Sequence, residues 1–517
     1  MTTLQPRPEY TDAELAELYP PQLRLQQVQI LLRHGERTPV NSRFTNAGLH
    51  PYWPYCSALG QLRASVLNPD AANRSFSKVE WKRRLETFAH DDAAVLAAGP
   101  AGELDAICDM GMLTDRGRET TYALGTRLRR LYVERLGFLP AQINDADPFY
   151  LRSTAVPRAL ESMQQAFQGL YPPYPVARLP PLTVISRSFA EETLFPNDGM
   201  CRRFAELSRA FAQRAAHRWN DSEEMAYLNE KLGKWMPDDS PRIAVDSRPR
   251  LIGILDTVNS TSAHGPATRL PKEFYDPKVK QIMEKIGVEE WYDGYRESNE
   301  YRTLGIGGLL ADVVVRMVDS AELGSAHATA GQSGQAKSDA TAGTIPTRFG
   351  LSGCHDTTLA GVLASLGAFD TDAWPPFTSH IAVELFRSAN QSPKAASHPQ
   401  RTWWSSIFGG NPSPRTTIGR KPTPDLGENE KKSLQGHFVR LRYNDTPVTI
   451  PGCKPQGKHL DGDESFCTLE AFKSIVDKFT PATGDNNAAP TSKRLRSPPS
   501  PNPRGIKQPI LPLLFVR

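Results

Sequence analysis

The chain is poor in cysteine: six residues in 517, none in a C-x-x-C pair. That is too few for a disulfide scaffold and lacks the spacing of a structural zinc site. Long apolar runs are missing as well. The most apolar stretch, Leu304 to Val318, is broken by Asp312 and Arg316, so nothing approaches the ~18 uninterrupted apolar residues of a membrane-spanning helix. Neither sign of charge dominates. With 61 basic and 57 acidic residues the net is +4, too little for a nucleic-acid partner or a polybasic membrane surface. Residues 1–25 carry Glu9, Asp12, Glu14 and Glu17 and show no apolar segment ahead of a small-residue cleavage site. A transit peptide would be basic and acid-poor, so the expectation is a cytoplasmic protein in which Cys453 and Cys467, able to bridge under oxidation, are reduced thiols. Apolar residues reach only 39%, below the ~45–50% of ordinary globular chains. With 44 prolines, this places part of the length outside any core.

What is present divides into a leader (1–25), a structured body (26–481) and a Pro-rich basic tail (482–517) containing Lys493-Arg494-Leu495-Arg496. Two segments within the body, 324–344 (Gly, Ala, Ser, Thr, Gln) and 388–435 (Pro, Ser, Lys), cannot bury enough apolar area to offset the entropy of ordering them and are expected as disordered inserts. The second holds an aromatic island, Trp403, Trp404, Ile407 and Phe408.

The body alternates short apolar runs with helical periodicity. Gln27–Leu32, Phe149–Arg152 and Arg348–Cys354 read as buried strands, each followed by a polar break. Pro157 stands at a first helical position before Leu160, Met163, Phe167 and Leu170. Thr114 opens a helix ending at Gly137, and Asp356 opens one stopped by Gly367. From Glu191 to Asp319 the pattern is mostly helical. Strands alternating with helices, with a helical block between, predict an α/β fold: a mainly parallel central sheet flanked by helices, with core about 26–190 and 345–481 and an inserted α-helical subdomain about 191–320.

Three strand ends carry chemistry. Arg33-His34-Gly35-Glu36-Arg37-Thr38-Pro39 follows the first strand directly, where open α/β sheets bind ligands. Guanidinium forks match phosphate oxygens, glycine permits close approach, and imidazole can attack phosphorus. His355-Asp356 stands at a strand end and a helix N-terminus, which favours anions; an Asp there can equally be a plain cap. Arg152-Ser153-Thr154 ends a third strand and adds a guanidinium. His264, in a Gly- and Ser-rich loop, and the pair His380 and Glu384 are read as structural ahead of functional. His50, His90, His217 and His437 show no metal-ligand spacing.

With these motifs the chain resembles the histidine acid phosphatase family, branch 2 of the histidine phosphatase superfamily, with a phosphoglycerate-mutase-like fold. Its R-H-G-x-R-x-P signature is Arg33 to Pro39 and its H-D pair is His355-Asp356. Gly111-Met112-Leu113-Thr114-Asp115-Arg116-Gly117 looks like its G-x-L-T-x-x-G turn, and Pro375-Pro376-Phe377 with Ser379-His380 and Glu384 looks like the strand after the H-D helix. The resemblance runs from Val28 to about Phe479, and is nearest to the lysophosphatidic-type acid phosphatases and their fungal relatives. It implies His34 as nucleophile, Asp356 as proton donor, and Arg33, Arg37, Arg152 and His355 as ligands of the phosphoryl oxygens. No metal or cofactor is implied. The expected partner is a phosphate monoester, either a small molecule or a lysophospholipid, and no nucleic acid.

Three other readings compete: a noncatalytic protein that keeps the pocket to bind phosphorylated metabolites or lipid headgroups, which would lack a catalytic residue where none is missing here; a phosphoglycerate-mutase-type transferase; and a phytase. A phosphoglycerate-mutase-type transferase would share Arg33-His34-Gly35-Glu36, but the Arg37-Thr38-Pro39 continuation and the H-D pair speak against it. A phytase needs a wide cationic pocket rimmed by the helical block. Trp53, Tyr55, Phe189, Phe195, Trp291 and Tyr295 are candidates for an apolar wall, though aromatics are more often core.

Overall fold

The alternation in Leu23–Arg33 (β1) decides how the molecule is layered. Val28, Ile30 and Leu32 point to one side of the sheet, where they pack with residues of the helices Asp115–Arg129 (α2) and Pro157–Leu170 (α3). The intervening Gln27 and Gln29 point to the other side. They are buried but satisfied: Gln29 Nε2 donates to Val313 O (3.1 Å), Gln27 Nε2 donates to Arg316 O (3.0 Å), and Arg316 Nε returns a bond to Gln29 Oε1 (2.7 Å). All three partners lie on Gly308–Ala330 (α9), so the polar alternation docks one helix instead of facing water.

In a computed structural model, the structure describes residues 8–68, 75–143, 145–172, 182–330, 347–390 and 418–481. β1 sits mid-sheet. Parallel to it run Phe349–Cys354 (β8), then Phe149–Ser153 (β6) and Val184–Ile185 (β7). On its other edge His380–Ser388 (β9), His437–Tyr443 (β10) and Asp463–Thr468 (β13) continue antiparallel, with the short strands Thr446–Val448 (β11) and His459–Leu460 (β12) at the margin. Flanking helices on both faces make the mixed α/β fold expected from the sequence. The three predicted strands are β1, β6 and β8, and all three end at the same edge. Helices Arg202–Trp219 (α4), Glu223–Leu232 (α5), Leu251–Ser262 (α6), Pro277–Glu297 (α7), Asn299–Arg302 (α8) and α9 form the helical block, and Asp356–Ser365 (α10) follows β8.

Several boundaries differ from expectation. The leader is structured: Asp12–Leu18 (α1) is closed by a capping box between Thr11 and Glu14, and β1 begins at Leu23. The helical block runs past 320, since α9 reaches Ala330. Of the second soft segment, 418–435 is ordered and carries Glu428–Leu434 (α11), which precedes β10 and the closing helix Leu469–Asp477 (α12). The aromatic island, most of the first insert and the basic tail lie outside the described residues.

The reduced-thiol expectation is overturned. Cys453 and Cys467 are joined, with Cα atoms 5.4 Å apart, because β13 brings Cys467 against the turn of Cys453. Cys56 and Cys108 are joined too, at 5.1 Å. This bridge closes the base of an excursion carrying two hairpins, Gln61–Leu67 (β2) with Phe76–Lys82 (β3) and Glu86–Phe88 (β4) with Ala94–Leu96 (β5). Both distances suit a disulfide. Cys201 and Cys354 are free.

Candidate functional site

β1, β6 and β8 deliver their C-terminal residues to one hollow. Arg33 closes β1. The His34 N–H donates to Cys354 O at the end of β8 (3.1 Å) and Thr378 N donates to His34 O (3.2 Å), so the loop is strapped on both sides. Gly35 has no room for a side chain: a Cβ there would lie 2.4 Å from Gly117 O, and one on Gly117 would lie 2.2 Å from Glu36 O. The two backbones touch where the first turn of α2 meets the strand-end loop. Gly35 N also donates to Ser162 Oγ on α3 (3.0 Å).

His34 is buried, and its Nδ1 lies 2.9 Å from Gly35 O. A neutral ring meets that carbonyl by carrying its proton on Nδ1, which leaves the Nε2 lone pair for an electrophile. Burial holds the imidazole well below its usual range, and the charges of Arg158, Arg33 and Arg37 push the same way. His34 is therefore neutral in mild acid.

Asp356 is the first residue of α10, and His355 is its N-cap. Arg33 Nη2 lies 2.7 Å from Asp356 Oδ2, which also accepts from Trp374 Nε1 (3.0 Å), while Oδ1 accepts from Thr357 N (2.8 Å). Burial alone would raise this carboxyl. Arg33, the indole N–H, Arg37 and His355 outweigh it and hold the group below its usual range. The His355 ring stands 5.6 Å from that of His34, edge on, and its Nε2 is 3.2 Å from Thr154 Oγ1. Burial and Arg158 keep His355 neutral as well.

Arg33 and Arg37 lie over the ring of Phe377, at 4.3 and 5.6 Å from its centroid. Arg37 Nη2 donates to Asp256 Oδ1 on α6 (2.7 Å). That carboxylate also accepts from Val40 N (3.2 Å), fixing the loop to the helical block.

The third arginine is a correction. Arg152 is buried, but its Nη2 bonds Glu192 Oε1 (2.5 Å) and Thr193 Oγ1 (3.1 Å), and its Nη1 lies 3.8 Å from Asp312. It neutralises acids behind the hollow. Its neighbour Thr154 reaches His355; Arg152 itself stays out. The cation that belongs to the hollow is Arg158, the second residue of α3, which acts on His34 and His355 more strongly than any other charge. Arg158 Nη1 donates to Gly111 O (3.3 Å). The Nε groups of Arg33, Arg37 and Arg158 are buried and have no partner among the described residues. Arg152 keeps two such nitrogens, but facing Glu192 and Asp312. Buried guanidinium groups with unpartnered Nε donors around an uncharged imidazole make a site for a tetrahedral oxyanion.

A signal for Arg158 was present. A cation at a helix N-terminus opposes the helix dipole and is out of place unless an anion binds there. Trp374, from the loop before β9, carried no such mark, whereas Phe377 stands in the Pro375-Pro376-Phe377 stretch that the family resemblance singles out. The other flagged residues are structural. Glu384 accepts from Arg440, Arg442, Tyr19 and Tyr132 in the core, and His380 faces Asp445 at 3.3 Å. His264 lies 2.9 Å from Thr114 Oγ1 and stacks on Tyr55. Of the aromatic candidates, Phe195 stands beside His355 (6.0 Å) with Phe189 behind it (5.6 Å). Trp53 and Tyr295 are buried in the core, and Trp291 packs on Trp374.

Comparison with known proteins places this arrangement. The sequence model described as histidine phosphatase superfamily, branch 2, matches residues 24–444. A probable acid phosphatase of Schizosaccharomyces pombe is 33% identical over 480 residues, 92% of this chain and 96% of that protein. The human lysophosphatidic acid phosphatase type 6 is 25% identical over 370 residues, 71% and 74% of the two chains. Among solved structures, the Hafnia alvei phytase bound to tartrate superposes with a TM-score of 0.50 over 89% of this chain and 98% of its own, at 13% identity, a likeness of fold.

Proposed function

We propose, on the premise that this chain belongs to branch 2 of the histidine phosphatase superfamily and is an acid-phosphatase-type phosphomonoester hydrolase, that it works through a phosphohistidine on His34. The observation carrying this reading is the neutral, buried imidazole whose Nδ1–H meets Gly35 O while three arginines surround it. Arg33, Arg37 and Arg158, with His355, hold the three non-bridging oxygens. The Nε2 lone pair attacks phosphorus in line with the ester oxygen. The P–O bond breaks, and the departing alkoxide takes a proton from Asp356. Arg33 and the Trp374 N–H hold that carboxyl low against its burial, and a bound phosphate anion beside it pushes it upward and shares the Arg33 charge. In the second step Asp356, now a carboxylate, takes a proton from water as its oxygen attacks phosphorus. The P–N bond breaks, inorganic phosphate leaves and His34 is restored. The cations neutralise charge on the equatorial oxygens in both steps.

The substrate is a small phosphate ester. A lysophospholipid is supported by the relatives named lysophosphatidic acid phosphatases and by Phe195 beside His355 with Phe189 behind it, an apolar wall for one acyl chain. An oxidising compartment is the localisation that the two disulfides support.

The test is hydrolysis of p-nitrophenyl phosphate in mild acid by the wild type, His34→Ala and Asp356→Asn. His34→Ala is expected to lose on the order of 10³-fold or more in kcat; three equal rates would reject the reading. A panel of lysophosphatidate, sugar phosphates, phosphotyrosine and inositol hexakisphosphate ranks the substrates, with lysophosphatidate expected to lead in kcat/KM.

A further inference from the structure

The carboxyl at the head of α10 is held by more than its own helix. Trp374, from the loop between α10 and β9, is buried with its Nε1–H on Asp356 Oδ2. Its indole lies against Tyr292 (5.1 Å) and edge on to Trp291 (6.2 Å), both on α7. A Cβ on Gly287, one turn earlier, would stand 3.7 Å from the indole, so this helix has a flat seat there. Tyr292 packs in turn on Phe369 (5.6 Å). The indole is thus clamped in one orientation by the helical block, and its single donor has one acceptor.

The two oxygens of Asp356 are consequently unlike. Oδ2 accepts one N–H, from Trp374, and is ion-paired with the Arg33 guanidinium at 2.7 Å. Oδ1 receives one, from the backbone of Thr357. A proton sits poorly on an oxygen that already accepts the indole N–H and is paired with a guanidinium, since that hydrogen and that positive charge both oppose it. We propose that Trp374 is a positioning residue of the reaction: by saturating Oδ2 it directs the proton of Asp356 to Oδ1, and so fixes which oxygen serves the leaving group in the first step and water in the second. This rests on Asp356 being the acid of the reaction proposed above. In the step, the Oδ1–H bond breaks as the proton passes to the ester oxygen, the P–O electron pair remains on that oxygen, and Oδ1 keeps the electron pair of its former O–H bond. Trp374 neither gains nor loses a proton.

An alcohol with a high pKa needs the proton at the moment of departure, whereas p-nitrophenolate leaves without much help. The experiment compares kcat/KM for glycerol 2-phosphate and p-nitrophenyl phosphate in Trp374→Phe, which keeps an aromatic ring for Tyr292 but has no N–H. A charge-assisted hydrogen bond of ~1.5–3 kcal/mol translates to about 10–100-fold. The glycerol ester is expected to lose this much, and the nitrophenyl ester at most about threefold. The limb of the pH profile that Asp356→Asn abolishes is expected to move to higher pH, because a donor to the carboxylate has been removed. Trp374→His, which retains an N–H, is expected to keep the substrate ratio nearer the wild type and serves as the probe should Trp374→Phe not fold. Equal losses on both esters, with an unmoved pH limb, would overturn the proposal and leave Asp356 as the acid. Full activity of Asp356→Asn on glycerol 2-phosphate would instead overturn the reading beneath it.

Discussion

At the scale of single residues the account turns on which arginine faces the phosphate. Arg158→Ala is expected to weaken inhibition by inorganic phosphate and to lower kcat/KM by on the order of 10²–10³-fold, the usual loss when one oxyanion donor goes. Arg152→Ala is expected to act on the fold: it strands Glu192, and breaking a buried pair costs ~3–5 kcal/mol. Denaturant melts should therefore shift for Arg152→Ala while its phosphate inhibition constant stays near the wild type. The reverse pattern would restore Arg152 to the site. Arg33, His34 and Arg37 were legible because one contiguous motif at one strand end carries all three. The third guanidinium was not, because Arg158 stands six residues past the strand-end Arg152, inside the next helix. Trp374 and Phe377 come from an irregular loop whose path no periodicity betrays.

Among elements, the tightest junction is where the Gly35 loop meets the first turn of α2. Gly35→Ala and Gly117→Ala each place a Cβ within 2.4 Å of a carbonyl oxygen across that contact. Neither backbone can yield without moving His34, and a misplacement near 1 Å can cost about 100-fold. Both variants are expected to lose kcat on this scale, and steady-state kinetics on p-nitrophenyl phosphate decides it. The excursion closed by Cys56–Cys108 returns at Asp109, whose carbonyl accepts from Thr38 Oγ1 (2.7 Å). Replacing both cysteines by serine is expected to lower stability by ~2–4 kcal/mol, read from denaturant melts. The elements that chemistry depends on were visible as short apolar runs with Thr, Pro and Gly punctuation. α1 was missed although Thr11-x-x-Glu14 is a capping-box signature, because the acidic residues were weighed only against targeting signals. α11 was hidden by a Pro- and Lys-rich composition, and the Cys56–Cys108 pairing by its separation of 52 residues, which only the folded hairpins bridge.

For the molecule as a whole, stability and activity answer differently to acid. Burial lowers His437 to about 4 from an ordinary 6.5. The fold thus favours its neutral form, and this contribution, complete above pH 6.5, fades as pH falls toward 4. Burial would raise Glu384, but Arg442 and Arg440 prevail and hold it at about 2 against an ordinary 4.5. Its contribution is complete above pH 4.5 and fades only below that. The thermal midpoint is expected to fall from pH 6.5 downward through the buried histidines His34, His355 and His437, with Glu384 adding to the fall below pH 4.5. His437→Gln should make the first part of that decline shallower in thermal melts, leaving the share of His34 and His355. Catalysis does not share the upper decline, because His34 is already neutral there. The layering was legible as a class, strands alternating with helices around a helical block. The antiparallel half of the sheet was not, because β9 and β10 are buried runs whose direction no local pattern records.

The central claim is that phosphorus is transferred to His34 before it reaches water. Mixing the protein with a ³²P-labelled monoester, quenching in alkali within the first turnovers and mapping the labelled peptide tests it directly. The account expects a base-stable, acid-labile label on the peptide containing residues 33–37, absent from His34→Ala and accumulating in Asp356→Asn if that variant slows the second step. Label elsewhere, or wild-type turnover with no trapped phosphoprotein and undiminished activity in His34→Ala, would contradict it.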